Sequence, residues 1–316
     1  MSTLYNAPSH LLQTRQAALE TGLEPEVVDT VLRLASQFYN ERYEHKMLTL
    51  EALVELRTLY KYRDADDERH WQILENQQLW FPLPTTFNDP FDANLGMRFD
   101  LLPEERLVKL AETKISSEQP GAGYFLRQKE IEKFLTWVRD PTKHDAAMTQ
   151  WIQRLTSKMR VFCICPDRGN ILLWSHYAKN HTGFAIGFDP MKLHELWKAN
   201  RGFQMGYVAY RETYPILIPP AEDDKVTKAD IVTTIMNVKS DIWAYEKEVR
   251  MTMFDGPTHT EFDAALISEV TIGCKMSASH KEKILRLMDE KYPHATVYQA
   301  RLSRGAFSLD FDKLRG

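Results

Sequence analysis

A pair of glutamates offers acid–base or electrostatic chemistry in this chain. Glu246 and Glu248 are separated by one residue, within a stretch at 243–253 whose composition predicts a β-strand. Alternate side chains of a strand point to the same face, so both carboxylates should share one face. One could hold a substrate hydroxyl while the other polarises a nucleophile or stabilises developing positive charge. The alternative is a solvated strand face on which Glu248 and Arg250 are ordinary neighbours.

A second polar segment covers residues 174–183, just before an apolar stretch that predicts a strand. Trp174, Ser175, His176 and Tyr177 bring together an indole, a hydroxyl, an imidazole and a phenol. The aromatic faces could stack on a planar ring such as nicotinamide or adenine, while Ser175 or His176 makes polar contacts. Alternatively, Trp174 and Tyr177 are core residues and His176 is a buried histidine whose hydrogen bonds are satisfied.

A basic residue ends the strand predicted at 58–63. The Arg63 guanidinium could bind a phosphate or a carboxylate through paired hydrogen bonds. The alternative is a surface arginine that pairs with Asp64 or Asp66.

A turn-rich segment follows, in which Asn88, Asp89 and Asp92 could bind a cation or substrate hydroxyls. Asn and Asp residues before proline mainly build turns, and that is the favoured interpretation. We expect the segment to be structural, with Phe87 and Phe91 buried.

The sequence motifs of several well-known enzyme classes are absent from this chain. There is no Gly-x-Gly-x-x-Gly, no Walker loop and no His-Glu-x-x-His, which argues against a Rossmann dehydrogenase, a P-loop ATPase and a zinc protease. A Gly-x-Ser-x-Gly elbow is missing too, so Ser175 beside His176 does not indicate a hydrolase triad. Cys163, Cys165 and Cys274 are too few and wrongly spaced for a zinc site, and no metal is expected.

Composition sets the broad class. The 316 residues are 43% hydrophobic and 27% charged, which is ordinary for a globular protein. A net charge of −4 gives no general attraction to nucleic acid or to anionic membranes. The odd, low cysteine count fits a reducing compartment. No apolar run is long enough to span a membrane and the first residues lack signal-peptide features, so we expect a cytoplasmic protein without membrane contact.

The elements that position these residues follow from apolar periodicity. Residues 1–57 are expected to form an N-terminal helical extension, and residues 58–316 an α+β main domain. Strands are predicted at 58–63, 161–165, 183–188, 203–210, 243–253, 267–273 and 295–302. Helices are predicted near 69–78, 103–158, 190–199, 226–239 and 278–291. Because the strands neither alternate strictly with helices nor form a continuous meander, we predict an α+β fold with a mixed or antiparallel sheet core and surrounding helices.

Taken in order, four sequence blocks resemble domain-of-unknown-function family 2971. The blocks are residues 59–63, residues 87–92, residues 174–177 with 180–183, and residues 243–250. The resemblance spans roughly residues 58–302 and leaves the N-terminal helical segment outside. The family implies no activity, so function has to be argued from the site.

The order of these blocks is also similar to the Arg–Ser–Glu scheme of ADP-ribosyltransferases, which consume NAD as a substrate. The resemblance implies that Arg63 contacts NAD and that Ser175 supports the nicotinamide side. It also implies that Glu248 is the catalytic glutamate, which holds a ribose hydroxyl, and that Glu246 orients the acceptor.

The serine element departs from that scheme, because it is not Ser-Thr-Ser and it precedes its strand. His176 or Tyr177 could fill this role instead, as in the His–Tyr–Glu variant. Lys61 likewise competes with Arg63 for the first position.

The leading hypothesis is therefore an ADP-ribosyltransferase-like enzyme that cleaves the nicotinamide–ribose bond of NAD, with a protein, a nucleic acid or water as acceptor. An alternative is a non-catalytic module that binds a nucleotide-like ligand or a partner protein at residues 174–183. A third is a metal-dependent nuclease using Asp89, Asp92, Glu246 and Glu248, which the absence of clustered basic residues weakens.

Overall fold

A computed structural model of the chain describes residues 9–20, 24–41, 49–140, 143, 149–150, 152–154, 156–218 and 228–316. The fold is α+β with a mixed five-stranded sheet, which confirms the predicted class. The sheet is mixed because one strand pair in it runs parallel while the other pairs are antiparallel. None of the described helices combines the length and the apolar character needed to cross a bilayer.

The main helices are α1 (Ser9–Glu20), α2 (Pro25–Glu41), α3 (Leu50–Glu55), α4 (Glu68–Glu75), α5 (Glu104–Glu118), α6 (Tyr124–Val138), α7 (Ile171–His176), α8 (Pro190–Ala199), α9 (Lys228–Asn237) and α10 (Ala278–Lys291). The strands are β1 (Leu59–Arg63), β2 (Gln78–Trp80), β3 (Gly96–Met97), β4 (Met159–Ile164), β5 (Phe184–Phe188), β6 (Gly202–Tyr207), β7 (Ala209–Arg211), β8 (Ile216–Leu217), β9 (Val238–Ser240), β10 (Val249–Phe254), β11 (His259–Glu261), β12 (Ile267–Ile272), β13 (Thr296–Leu302) and β14 (Leu309–Arg315).

The chain forms two compact units, and each is assembled from three separate segments. Unit 1 contains Met1–Glu44, Asp89–Thr156 and Arg211–Val238, and unit 2 contains His45–Asn88, Ser157–Tyr210 and Lys239–Gly316. The sequence predicts a helical extension over residues 1–57 and a main domain over residues 58–316, and this division stays a prediction.

Unit 1 is mainly helical. In α2, the buried residues Val28, Val31, Leu32 and Ala35 follow the three- and four-residue spacing of one helix face. Helices α1 and α2 contact each other, as do α5 and α6, and β3 pairs in parallel with β8.

Unit 2 contains the larger core and the two largest sheets. The five-stranded sheet has the order β1-β5-β12-β13-β14, and the three-stranded sheet has the order β4-β10-β6. A bridge joins them, because the amide of Tyr60 donates to the carbonyl of Cys165 at 2.7 Å and the reverse bond measures 3.0 Å. The bridge places the first residues of β1 beside the residue that follows β4.

The three-stranded sheet has two chemically different faces. On β10, Val249, Met251 and Met253 enter the apolar core of unit 2. Arg250 and Thr252 alternate with them and therefore lie on the opposite face, although both are also buried. This second face carries the polar residues of the candidate site.

The segment at residues 88–92 forms a hydrogen-bonded turn, but its predicted anchoring is wrong for one aromatic ring. Phe91 is 64% exposed, and Phe87 is only partly buried. A carboxylate oxygen of Asp89 accepts the amide of Phe91 at 2.9 Å, which is a side-chain-closed turn. Polar hydrogen bonds hold this turn, so the Phe91 ring does not have to be buried.

Candidate functional site

Glu246 and Glu248 do not lie on one continuous strand. Residues Asp241–Glu246 form a 3-10 helix, and Lys247 adopts a left-handed conformation with φ 46° and ψ 44°. Glu248 follows immediately before β10. The predicted strand at 243–253 is therefore wrong in its first half, and the period-two argument does not apply to Glu246.

The two carboxylates nevertheless meet at one cation. The Nζ atom of Lys239 lies 2.6 Å from Oε2 of Glu246 and 3.4 Å from Oε2 of Glu248. The side chains are 4%, 6% and 7% exposed respectively, so the lysine bridges two nearly water-free carboxylates. Lys239 belongs to no recognisable sequence motif and is not among the site residues predicted from the sequence.

Arg250 completes a buried charge network. Its Nε atom donates to Oε1 of Glu248 at 2.7 Å and its Nη2 atom to Oε2 at 3.1 Å. The Arg250 side chain is 1% exposed. Glu246 receives a further hydrogen bond at Oε1 from the hydroxyl of Tyr177, at 2.7 Å. Each carboxylate thus has donors on both of its oxygens.

These partners determine which groups are charged. Burial alone raises the pKa of Glu248, but Arg250 and Lys239 outweigh that effect and lower it to about 2. Burial, together with the nearby Glu246 carboxylate, raises the pKa of the Tyr177 phenol, which therefore remains a neutral donor.

A second group of charges lies at the end of β1. Lys61 and Arg63 share one face of that strand by its period of two. The Nζ atom of Lys61 donates to the carbonyl of Cys163 at 2.6 Å and lies 5.1 Å from the ring centroid of Phe162. Arg63 is partly buried, and among the residues that the structure describes no side chain forms a hydrogen bond or an ion pair with its guanidinium.

The pKa values of this pair reflect burial without a paired acid. Desolvation, reinforced by the neighbouring Arg63, lowers the pKa of Lys61 to about 8. Desolvation also lowers the pKa of Arg63 to about 10, against the opposing effects of Cys163 and Asp67. Both groups would gain from an anion that replaces lost hydration.

Cys163 connects the two groups of charges. It lies opposite Arg250 in the pairing of β4 with β10, and its thiol is within electrostatic reach of the Glu248 carboxylate. Burial and the Glu248 charge raise the pKa of this thiol, so it is a protonated donor. Lys61, in turn, is within electrostatic reach of Glu248. The basic pair and the carboxylate network therefore belong to one site in unit 2.

The segment at 174–177 lies at the end of a short helix. Asn170 caps α7 through the amides of Leu172 and Leu173, at 3.1 and 3.2 Å. The same side chain donates to the carbonyl of Tyr245 at 2.5 Å. This residue therefore ties α7 to the 3-10 helix, and the connection brings Tyr177 to Glu246.

The four aromatic and polar candidates of this segment separate in space. Trp174 has no exposed surface, and its indole donates to the carbonyl of Arg168 at 2.9 Å. Trp174 is therefore a core residue, and its enclosed ring cannot stack on a ligand. Ser175 donates to the carbonyl of Ile171 at 2.9 Å, and the exposed His176 ring stacks near Tyr245 with centroids 6.2 Å apart. Of the four, only Tyr177 is hydrogen-bonded to a predicted carboxylate.

A close backbone contact fixes this segment against β1. A Cβ atom at Gly183 would lie 2.0 Å from the carbonyl oxygen of Arg63, so only glycine fits there. Lys179, Asn180 and His181 precede it with φ values of 44°, 55° and 69°. The tight turn brings the residues after α7 onto the end of β1, beside Arg63.

The nuclease interpretation gains no support from the site. Within the described parts of the chain, no group of three or more His, Cys, Asp and Glu side chains is arranged to hold a metal ion. Glu246 and Glu248 are already bound to Lys239, and Asp89 closes its own turn.

Comparison with known proteins gives a family match. A family model described as "Protein of unknown function (DUF2971)" matches residues 173–251, which include the second part of α7, Lys239 and both glutamates. This agrees with the resemblance of the blocks at 174–183 and 243–250, whereas the blocks at 59–63 and 87–92 lie outside the match. No curated protein and no solved structure matches the chain.

Proposed function

We propose that unit 2 binds NAD and cleaves its nicotinamide–ribose bond in the manner of an ADP-ribosyltransferase. The observation that carries the proposal is the connection between a basic pair without an acidic partner and a carboxylate network. Lys61 and Arg63 would bind the NAD pyrophosphate, for which charge-assisted hydrogen bonds are the strong contacts. Glu248 and Glu246 would act beside the ribose.

The reaction places a specific demand on the carboxylates. When the bond between C1′ and the pyridinium nitrogen breaks, its electron pair leaves with nicotinamide and positive charge develops on the ribose. The acceptor then bonds to C1′ and loses its proton to a base or to water. An ionised carboxylate stabilises the charged transition state, and the lowered pKa of Glu248 keeps it ionised.

Glu248 has an acceptor position that a ribose hydroxyl could use. A carboxylate offers about four acceptor positions, and within the described residues Arg250 and Lys239 donate three hydrogen bonds to Glu248. We propose that the ribose hydroxyl donates to the remaining position. Within the same residues, Glu246 accepts from Tyr177 and Lys239 and retains acceptor capacity for the incoming group.

A second candidate is a nucleotide-binding module without catalysis. It is favoured by the same count, because a carboxylate with three of about four acceptor positions used can be structural. In this case Lys61 and Arg63 bind the phosphates, and Glu248 only holds Arg250 and Lys239 in place.

Nicotinamide release from NAD, measured with and without candidate acceptors, separates these functions. For an enzyme, we expect Glu248→Gln to lower turnover by roughly two orders of magnitude or more. Glu246→Gln should impair transfer more than hydrolysis, and Arg63→Ala should mainly weaken NAD binding. Because Glu248 is buried in an ion network, its substitution could reduce the amount of folded protein. The turnover of Glu248→Gln therefore has to be divided by the concentration of folded protein.

The possible negative results of the NAD measurements lead to different conclusions. NAD binding by wild type without cleavage under any acceptor condition would support the binding module. Absence of both NAD binding and NAD cleavage would refute the enzyme.

A further inference from the structure

The polar face of the three-stranded sheet continues beyond Arg250. In the register of that sheet, Arg250 lies opposite Cys163 on one side and Gly206 on the other. Two residues further along β10, Thr252 lies opposite Gln204. This next row is about 7 Å away and on the same face, by the rise and period of a strand.

Two side chains of this row carry a polar atom without a partner in the part of the chain that the structure describes. Gln204 is 2% exposed and Thr252 has no exposed surface. Among the described residues, neither Oε1 of Gln204 nor Oγ1 of Thr252 has a hydrogen-bond partner. Buried polar side chains are paired in the large majority of cases, so an orphaned carboxamide oxygen beside a charged site requires an explanation. The glycine at position 206 also leaves the place opposite Arg250 without a side chain.

We infer that the ligand site extends along this face and that Gln204, with Thr252, binds an N–H group of the ligand. The oxygen Oε1 can only accept, so its partner must be a donor such as a carboxamide or an exocyclic amine. The inference rests on the proposed NAD site. NAD carries two groups of this kind, the carboxamide of nicotinamide and the 6-amino group of adenine.

Two dinucleotide analogues identify the donor. In 3-acetylpyridine adenine dinucleotide a methyl group replaces the carboxamide N–H₂, and in nicotinamide hypoxanthine dinucleotide an oxo group replaces the adenine amine. We expect wild type to bind one of them roughly tenfold or more weaker than NAD, because an unfilled buried acceptor penalises the analogue that lacks the donor. Calorimetric titration of the purified protein with each dinucleotide measures these ratios.

Variants assign that discrimination to this row. Gln204→Leu removes the acceptor at similar volume, and we expect the ratio of affinities for NAD and the rejected analogue to fall to about one. Gln204→Met is a second variant of similar size. Thr252→Val should reduce the ratio in part. Thr271→Val is the matched control, because Thr271 is also buried with an unpartnered hydroxyl but lies on β12, in the other sheet.

The outcomes distinguish this inference from the function on which it rests. Equal wild-type affinity for all three dinucleotides, or unchanged discrimination in folded Gln204 variants, would overturn the assignment and leave the NAD site intact. The orphaned oxygen would then be the site of a buried water or a purely structural position. Absence of NAD binding by wild type would instead overturn the proposed function itself.

Discussion

Two groups of charges in unit 2 differ in how they are neutralised. Glu246, Glu248, Lys239 and Arg250 form a buried network in which every carboxylate has cationic partners. The neighbouring Lys61 and Arg63 side chains are also withdrawn from water, yet neither forms an ion pair within the described residues. The network combines two cations with two carboxylates, whereas the basic pair consists of two cations.

The difference separates stability from binding. Removing one member of a buried ion network leaves an uncompensated charge, so the network should matter for folding. A partly buried cation without an acidic partner loses hydration and receives little stabilising interaction from the folded protein. Such a group is better explained by an anion that binds there, and its removal should affect the ligand more than the protein.

The largest expected effect is on folding. Arg250→Met should lower the free energy of unfolding by about 3–5 kcal/mol, because it leaves Glu248 buried with fewer donors. Urea denaturation measures the change. Arg304→Met, at an exposed arginine, is the control and should stay within about 0.5 kcal/mol of wild type. A cost at Arg250 as small as that of the control would show that the network does not stabilise the fold.

The basic pair should give the opposite result. Arg63→Met and Lys61→Met should each weaken nucleotide binding roughly ten- to a hundredfold, the scale of a charge-assisted hydrogen bond. Their free energies of unfolding should be unchanged or higher, since a desolvated cation is removed. Calorimetric titration with NAD and urea denaturation supply the two measurements. Loss of stability without loss of affinity would make the pair structural.

A smaller effect tests the link between α7 and the network. Tyr177→Phe removes the hydroxyl that donates to Glu246 and should cost on the order of 1 kcal/mol of stability. Tyr124→Phe is the control, because Tyr124 is 71% exposed. Thermal or urea denaturation of both variants gives the comparison. Equal stability of the two variants would mean that the Tyr177 hydroxyl contributes nothing measurable.

The elements with regular periodicity could be predicted from the sequence. Strand β1, strand β5 and helix α10 lie where their apolar patterns place them, and α8 spans the predicted residues 190–199. In each of these elements a single apolar periodicity continues over the whole length. The C-terminal strand β14 was not predicted, because its alternating charged residues Asp310 and Asp312 make it similar to a solvated loop.

The site could be predicted only in part, for reasons of backbone geometry. The left-handed conformation of Lys247 breaks a sequence that otherwise alternates like a strand, and no propensity favours a left-handed lysine. Trp174 has the composition of a ligand platform, but its burial depends on its packing against Tyr62, which is distant in sequence. Lys239 carries no motif, and only the need to neutralise two buried carboxylates could have indicated such a cation.

The last prediction uses pH to separate the two groups of charges. Lys61 has a pKa of about 8 in the folded state against an ordinary value of 10.5. Between these values the unfolded chain binds more protons, so the Lys61 contribution to stability increases as pH rises through this window. Binding of an anion should change in the opposite direction and weaken as pH rises through about 8.

The network does not contribute to this change, because Glu248, with a pKa of about 2, stays ionised throughout. The Cys163 thiol, whose pKa is raised, stays protonated, and Arg63 titrates only near 10. NAD titrations from pH 7 to pH 9 should therefore show a loss of affinity of about tenfold or less in wild type. Lys61→Met should bind weakly at both values and show a flat profile over the same range. An equally steep profile in Lys61→Met would show that another group titrates, and the contrast between the basic pair and the network would then lose its electrostatic basis.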